Sequence, residues 1–239
     1  MISINTARAK ELEELQAAIN YKFEDLGILN NALTHSSFIG NKNDFIQHNE
    51  RLEFIGDSIL NMVVSLHLYG KCKSCPEGQL TRIRASVVCE TSLYKVANML
   101  NLGKYLLLSK GEENTGGRTR VSILADAAEA LIAAIYLDGG IKKARAFVLK
   151  FFKVIIEDSV ESKIFNDYKS YLQEYVQKSN IGKLDYKILS EAGPDHNKTF
   201  EMALYLNNNL VGVGKGHSKK DAHQAAAKNA IEALGVKYE

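Results

Sequence analysis

Two pairs of carboxylates lie in segments of the sequence that are otherwise apolar. Glu53 and Asp57 are four residues apart in HNERLEFIGDSILNMVVSLHL, and Asp126 and Glu129 are three residues apart in SILADAAEALIAAIYL. At these spacings both members of a pair occupy one face of a helix. An ionised carboxylate among apolar side chains is costly unless a cation neutralises it. If the two helices pack together, we expect the four carboxylates to converge on a cation.

The chemistry of such a site follows from its ligands. Sets of oxygen ligands alone favour the hard cations Mg²⁺ and Mn²⁺ over zinc. Magnesium can lower the pKa of a bound water and stabilise a leaving oxygen, which suits metal-assisted hydrolysis of a phosphodiester. The alternative is that these carboxylates lie on solvated helix faces or pair with basic side chains, as most acidic residues do.

Two neighbours of the first pair bear on how its helix packs. Glu50 lies three residues before Glu53 on roughly the same face, where like charges repel. Gly56 lies inside the predicted helix, at a cost of about 1 kcal/mol relative to alanine. We expect this glycine to permit the close approach of another helix.

The segments that must position these residues are predicted to be helices as far as residue 160. The helical pattern covers ARAKELEELQAAI, DLGILNNALTH, RLEFIGDSILNMVVSLHLYG, GQLTRIRASVVCETSLYKVANMLN, SILADAAEALIAAIYLDGG and IKKARAFVLKFFKVIIEDSV. Gly70 and the pair Gly139–Gly140 are typical helix ends. Strand signals are almost absent from this part of the chain.

The pattern changes after residue 160. The polar stretch ESKIFND predicts a short linker over residues 161–166, and a smaller domain follows over residues 167–237. There the order is a helix, a strand-like segment, two further strands joined near Asn207–Asn209, and a last helix with Ser218 as its N-cap. The smaller domain is therefore predicted to be α-β-β-β-α.

Composition sets broader limits. The 239 residues are 46% hydrophobic and 24% charged, which predicts folded domains, and the net charge of +2 means that a nucleic-acid partner must be argued from local patches. No apolar run reaches the length of a membrane span, and the first residues carry no apolar leader, so we expect a cytoplasmic protein. The cysteines are too few for a disulfide framework, and for Cys72 and Cys75 we expect reduced surface thiols rather than a zinc or redox role.

Three of these segments together resemble a known family. HNERLEFIGDSIL, GQLTRIRASVV and SILADAAEALIAAIYLDGG are similar, in order and roughly in spacing, to the signature segments of the ribonuclease III family. The C-terminal part resembles the double-stranded RNA-binding domain that follows the nuclease domain in bacterial members. The resemblance implies an α+β fold class, with an all-α endonuclease domain over residues 1–160 and a small α-β-β-β-α double-stranded RNA-binding domain.

The resemblance also implies an activity. Members are magnesium-dependent homodimeric endoribonucleases that hydrolyse double-stranded RNA to 5′-phosphate and 3′-hydroxyl ends with short 3′ overhangs, and manganese can replace magnesium. The implied substrates are ribosomal RNA precursors and other structured transcripts, among them messenger and transfer RNA. No membrane partner is implied.

Residue roles are carried over by position. The resemblance implies that Asp57 and Glu129 are catalytic, and that the metal ligands are Glu53, Asp126 and Glu129.

Two further acidic positions match less certain parts of the family pattern. Glu50 and Glu77 are possible accessory residues, and for Glu77 a charge that favours a helix start is an equally good explanation.

The smaller domain carries the residues expected to contact RNA. They are Gln173, Glu174, His196, Asn197, Lys198, Lys215, Lys219 and Lys220. Lys219 and Lys220 lie in the first turn of the last helix, whose free N–H groups attract phosphate. The first helix and the GPDHNK loop can reach a minor groove and its 2′-hydroxyls. Two adjacent lysines at a helix start can also be merely solvated.

Two other functions stay open on the residues themselves. The first is an RNA-binding protein with an inactive nuclease fold, against which the full set of carboxylates argues. The second is an all-α metal-dependent hydrolase of small phosphorylated substrates, which leaves the C-terminal domain unexplained.

Overall fold

The computed structural model describes residues 4–39, 48–73, 75–164, 168–194 and 198–236. The chain divides into two compact units, Met1–Val160 and Glu161–Glu239. The exact limits predicted above for the two domains and the linker stay a prediction. Residues 161–164 of the predicted linker are helical, because the last helix of the first unit continues to Ile164.

The first unit is helical, as predicted. Its helices are α1 Thr6–Ile19, α2 Leu26–Ala32, α3 Glu50–Lys71, α4 Glu77–Val87, α5 Glu90–Met99, α6 Leu102–Tyr105, α7 Lys110–Asn114, α8 Val121–Phe151 and α9 Lys153–Ile164. Within its described residues the only β pairing is an isolated bridge between Thr34 and Leu107. Among the described residues no helix has the length and apolar character needed to cross a membrane.

Two helices that the sequence pattern predicts as continuous are interrupted. GQLTRIRASVVCETSLYKVANMLN forms α4 and α5, because Cys89 is extended and starts the second helix. The thiol of Cys89 and the hydroxyl of Ser92 both donate to the carbonyl of Ser86, at 3.2 and 3.0 Å. Such side-chain bonds compete with the helical backbone pattern. The helix predicted over IKKARAFVLKFFKVIIEDSV is broken at Phe152, the residue that follows α8 and precedes α9. The side chain of Phe152 is fully buried.

The predicted stop at Gly139–Gly140 is confirmed as a break inside α8. Gly140 has φ 74° and ψ 177°, which only glycine adopts readily. The chain resumes a helical course after it. The residues before the break carry Asp126 and Glu129, and those after it form a separate helical segment.

The packing of α3 on α8 forms the centre of the first unit. The inner side of α8 is rich in buried alanine, which lets a neighbouring helix lie close. At Gly56 the two backbones touch, because a Cβ atom there would fall on the carbonyl oxygen of Glu129. The expectation that this glycine permits a close helix approach is confirmed.

The second unit has the predicted α-β-β-β-α order. Its elements are α10 Tyr168–Lys178, β1 Leu184–Ala192, β2 Thr199–Leu206, β3 Asn209–Gly216 and α11 Lys219–Ala233. The strands form an antiparallel sheet in the order β1-β2-β3. Asn207 and Asn208 turn the hairpin with φ 49° and 68°, as asparagine tolerates. The predicted N-cap is confirmed, since the Ser218 hydroxyl accepts from the Asp221 N–H at 3.1 Å.

The three cysteines are free thiols. Cys72 is buried, so the expectation of a surface thiol is wrong for this residue. Burial, together with the neighbouring Cys72, raises the pKa of Cys75 to about 11. Among the described residues, neither thiol belongs to a group of three or more metal-ligating side chains.

The contact at Gly56 can be tested with a matched pair of alanine variants. Gly56→Ala forces α3 away from the backbone of α8, and we expect it to lower the free energy of unfolding by about 3 kcal/mol or more. Gly70→Ala lies in the same helix with nothing within 4 Å of the added methyl. It should raise stability by about 0.5 kcal/mol. Urea unfolding of both variants measures this, and equal midpoints for Gly56→Ala and the wild type would contradict the packing described.

Candidate active site

Three carboxylates from α3 and α8 form an acidic cluster, consisting of Glu53, Asp126 and Glu129. One oxygen of each lies within 4.8 Å of the others, and all three residues are half-buried. Among the described residues none of the three carboxylates has a basic partner within ion-pair distance. The alternative that they pair with basic side chains is therefore not what the structure shows.

Glu129 lies deepest in this cluster. Burial raises its pKa to about 8, and the charges of Asp57, Glu53 and Asp126 add to the effect. At neutral pH the metal-free cluster therefore holds a proton on Glu129. A divalent cation has to displace that proton, so its binding should release protons.

The pKa values of the other two carboxyl groups in the cluster, those of Glu53 and Asp126, are also raised. Burial raises the pKa of Glu53, followed by the charges of Asp126, Glu50 and Asp57. Burial also raises the pKa of Asp126, followed by the charges of Glu90 and Glu50. The whole cluster is thus a site of strong negative potential in a partly desolvated setting, which favours a cation.

Asp57 lies at the exposed edge of the acidic cluster. It is one turn after Glu53 on α3 and contributes to the field at Glu53 and Glu129. The side-chain amide of Asn61 donates to Asp57 Oδ1 at 2.8 Å. One carboxylate oxygen is thereby held in place, while the residue stays open to solvent. The structure thus brings three of the four carboxylates that the sequence predicts to converge within 4.8 Å of one another, and Asp57 lies at their edge, where its charge acts on Glu53 and Glu129.

Sequence reasoning missed two residues at this site. Asn61 follows Asp57 by four residues, a spacing at which such pairs interact on a helix, so the signal was present. Glu90 begins α5 and acts on Asp126 through space. Nothing in the local pattern around Glu90 indicates this, because the contact depends on how α5 packs against α8.

The two accessory positions are both at helix starts. Glu50 is the first residue of α3, and its carboxylate lies 3.9 Å from Nδ1 of His48. Glu77 is the first residue of α4 and accepts from the Thr81 hydroxyl at 2.8 Å. A carboxylate at that position is favoured by the helix dipole alone.

The N-terminus of α11 presents two of the predicted RNA-contacting lysines. Lys219 and Lys220 are exposed in its first turn. The ammonium of Lys219 lies 5.7 Å from the centre of the Phe200 ring. Asp221, in the same turn, bonds to the Ser218 hydroxyl at 2.8 Å and reduces the local positive charge.

Two other predicted lysines are paired. Lys198 lies 3.1 Å from Glu191, and Lys215 lies 3.3 Å from Glu201. These pairs reduce the positive charge of the sheet, which the sequence pattern does not reveal. Both pairs are partly exposed, so each contributes little to stability.

The remaining predicted RNA contacts are on α10 and in the loop after β1. Gln173 and Glu174 are exposed on α10, and Glu174 lies 3.5 Å from Lys178. Gln173 also lines a cavity of about 490 Å³ between α10 and β1. His196 and Asn197 lie outside the described residues.

Comparison with known proteins places the chain in a family. Residues 25–155, more than half of the chain, match the family model described as Ribonuclease-III-like. The chain belongs to the ribonuclease III family. Residues 168–234 match the double-stranded RNA binding motif. The predictions of this family, of an α+β fold and of an endoribonuclease with an RNA-binding domain are confirmed.

Relatives match over nearly the whole ribonuclease III chain. The protein named Ribonuclease 3 of Caldanaerobacter subterraneus subsp. tengcongensis is 48% identical, over 94% of this chain and 99% of the relative. That of Clostridium tetani is also 48% identical, over 96% and 97%. The solved nuclease domain of ribonuclease III from Campylobacter jejuni has a TM-score of 0.57 and 43% identity, covering 60% of this chain and 96% of that one. That structure is described as showing flexibility in a region involved in dimer formation.

The raised pKa of Glu129 predicts how stability depends on pH in the metal-free ribonuclease III chain. The ordinary pKa is 4.5, and that of the folded protein is about 8. Between these values the unfolded chain has lost a proton that the folded chain keeps, so stability falls as the pH rises through this window. Glu129→Gln removes this titration and should flatten the fall.

The measurement is thermal unfolding in the presence of a chelator between pH 5 and pH 8.5. As a control, Glu13→Gln removes an exposed carboxylate on α1 and should keep the wild-type slope. Parallel pH profiles for Glu129→Gln and the wild type would contradict the assignment.

Proposed function

We propose that the chain is a magnesium-dependent endoribonuclease that cuts double-stranded RNA to 5′-phosphate and 3′-hydroxyl ends with short 3′ overhangs. The observation that supports this best is the acidic cluster. Three half-buried carboxylates, with no basic partner among the residues that the structure describes, meet between two packed helices of a ribonuclease III-like domain. Ribosomal RNA precursors and other structured transcripts are the proposed substrates, and the predicted cytoplasmic location stays a prediction.

The donor set fits magnesium. All three ligands offer carboxylate oxygen, and no histidine or thiol belongs to the cluster among the described residues. Hard divalent cations prefer such ligands, and manganese is expected to substitute. Burial and neighbouring carboxylates raise the pKa of all three carboxyl groups, and a bound cation would offset this unfavourable burial of negative charge.

Each carboxylate has a proposed role. Glu53, Asp126 and Glu129 would hold the ion. When bound, magnesium supplies Lewis acidity and a water of lowered pKa. Asp57 Oδ2 is free of the Asn61 contact and would accept a proton from the attacking water. The water oxygen bonds to phosphorus, the bond from phosphorus to the 3′ oxygen breaks, and that oxygen takes up a proton.

The second unit supplies the proposed grip on RNA. Lys219 and Lys220 at the start of α11 would bind backbone phosphates. Gln173 and Glu174 on α10 would face a minor groove, where A-form duplexes are read by shape and 2′-hydroxyls. In the loop between β1 and β2, the proposed RNA contacts are His196, Asn197 and Lys198. On β3 the proposed contact is Lys215.

A homodimer is also proposed, and α3 supplies the support. Phe54 and Tyr69 are 76% and 77% exposed, and Met62 and Leu66 are exposed beside them. At 100° per residue these four side chains fall within about 120° of the helix, so they form one apolar stripe. A second copy of the chain is the proposed cover, with Glu50 and Glu77 as possible accessory residues near it.

The catalytic assignment is tested by the double variant Asp57→Asn, Glu129→Gln. It keeps the size of both side chains and removes both proposed proton acceptors, so the cutting rate with magnesium should fall by about a thousandfold or more. Binding of the intact duplex should stay within a few-fold of the wild type. Gel assays of cleavage and binding give both numbers.

Glu24→Gln is the matched control for that experiment, since it removes an exposed carboxylate outside the site. Cleavage by the double variant at the wild-type rate would show that the catalytic residues lie elsewhere.

The phosphate role of α11 is tested by Lys219→Gln, Lys220→Gln in the full chain. Removing two ammonium groups from the phosphates should weaken duplex binding and reduce the slope of log affinity against log salt by about two. Lys228→Gln lies more than two turns further along α11 and should leave the slope unchanged. Equal salt slopes for the double variant and the wild type would remove these lysines from the proposed interface.

A further inference from the structure

Two cysteines lie at the joint between α3 and α4. Cys72 is the C-cap of α3, and its N–H donates to the carbonyl of Leu68 at 2.8 Å. Cys75 directly precedes Pro76, the N-cap of α4, whose carbonyl accepts from the N–H of Leu80 at 3.1 Å. Helical hydrogen bonds therefore fix the backbone on both sides of the cysteine pair.

A backbone hydrogen bond closes a turn between the two cysteines. The N–H of Cys75 donates to the carbonyl of Cys72 at 3.2 Å, so Cys72 and Cys75 are the first and fourth residues of the turn. A turn of this kind keeps its first and fourth Cα atoms within about 7 Å of each other. Disulfide bonds join residues whose Cα atoms lie about 4.4–6.8 Å apart. The backbone therefore already holds the pair near the separation that a disulfide requires.

The two cysteine side chains also meet. Burial is the largest cause that raises the pKa of Cys75 to about 11, and it is followed by the charge of Cys72 and by a hydrogen bond between the two thiols. Cys72 is only 6% exposed, whereas Cys75 is half-buried. A reagent in solution therefore reaches Cys75 first, while Cys72 is covered.

A metal ion is a less favoured ligand of this pair than a bond between the sulfurs. Structural zinc sites in proteins take four ligands, thiolates and imidazoles above all. Among the described residues, neither cysteine belongs to a group of three or more side chains that could hold one ion. Two thiols in contact across a fixed turn have the geometry for disulfide chemistry without any further ligand.

We propose that Cys72 and Cys75 form a thiol–disulfide exchange site, at which small disulfides oxidise the pair to a reversible bond between the ends of α3 and α4. The Cys75 thiolate attacks one sulfur of the small disulfide, and the other sulfur leaves as a thiolate. Cys72 then attacks the Cys75 sulfur of the mixed disulfide and displaces the second thiolate. The two cysteine protons pass to the released thiolates, so one small disulfide is reduced to two thiols as the pair is oxidised.

The environment of Cys75 sets the rate and the persistence of this exchange. Its raised pKa keeps most of the thiol protonated near neutral pH, so the first attack is slow. The same environment disfavours the Cys75 thiolate, so it does not stabilise the reduced pair against the disulfide. In a reducing compartment the pair stays as two thiols, and the bond forms when small disulfides accumulate. The expectation that the pair has no redox role is not what this geometry favours.

The disulfide should stabilise the nuclease unit without moving the acidic cluster. The turn already has the backbone shape that the bond requires, so oxidised and reduced chains should cut RNA at the same rate. Closing a loop of four residues lowers the conformational entropy of the unfolded chain. The equilibrium constant for unfolding should therefore fall about twentyfold on oxidation.

The test is oxidation of the full chain with glutathione disulfide. The denatured protein carries three free thiols before oxidation and should carry one after it, and a reductant should restore the others. A protease that cuts after lysine maps the bond, because Lys73 lies between the two cysteines. The peptides on either side of the cut should stay joined until a reductant is added. Urea unfolding of the oxidised and reduced chains measures the stabilisation.

Three single variants separate the steps. In Cys72→Ala the reaction should stop at a mixed disulfide on Cys75, with no gain in stability over the reduced variant. In Cys75→Ser the covered Cys72 should react much more slowly than Cys75 does in the wild type. Cys89→Ser removes the third thiol and should leave both the bond and its stabilisation unchanged.

Three outcomes would overturn the proposal. The first is an oxidised wild type that keeps glutathione on Cys75 or joins Cys89 instead of closing the pair. The second is a bond between Cys72 and Cys75 that leaves the urea midpoint where it was. The third is a cutting rate that falls on oxidation, since the turn would then have changed shape. A reduced chain that never cuts duplex RNA would instead refute the proposed function, and the thiol and unfolding measurements would still stand.

Discussion

The backbone contact between Gly56 and Glu129 is the constraint on which the candidate active site depends. No side chain separates α3 from α8 at this point, so the helices lie as close as their main chains allow. Glu53 lies one turn before the contact and Asp126 one turn before its partner residue. Only this closeness puts oxygens of three carboxylates within 4.8 Å of one another.

The same closeness opposes folding. It buries groups of like charge, and burial together with neighbouring charges raises the pKa of Glu53, Asp126 and Glu129. The buried apolar side of α8 offsets it, since alanine, leucine and isoleucine along that helix are removed from water. Such an unfavourable burial of like charges, in a domain whose helical pattern and packing are otherwise consistent with the fold, is typical of a functional site.

Much of this arrangement could be predicted from the sequence, because helical periodicity and the residue types that end helices or form turns are local features. Helical spacing identified the carboxylate pairs, and the break at Gly140 and the hairpin near Asn207 followed from residue types. The break at Cys89 did not, since it depends on side-chain hydrogen bonds to a carbonyl. The influence of Glu90 on Asp126 could not be predicted either, because it arises where α5 packs against α8. The carry-over of individual catalytic roles is a matter of family resemblance.

Helix α3 runs for 22 residues without a break. The geometry of the α-helix therefore fixes the distance and the angle between any two residues along it. Adding or deleting one residue in its middle would turn everything downstream by about 100° and move it by about 1.5 Å. Glu53 and the exposed apolar stripe of Phe54, Met62, Leu66 and Tyr69 would then no longer keep their relative positions. A change of length in the middle of α3, between Gly56 and Tyr69, would therefore separate the acidic cluster from the apolar stripe.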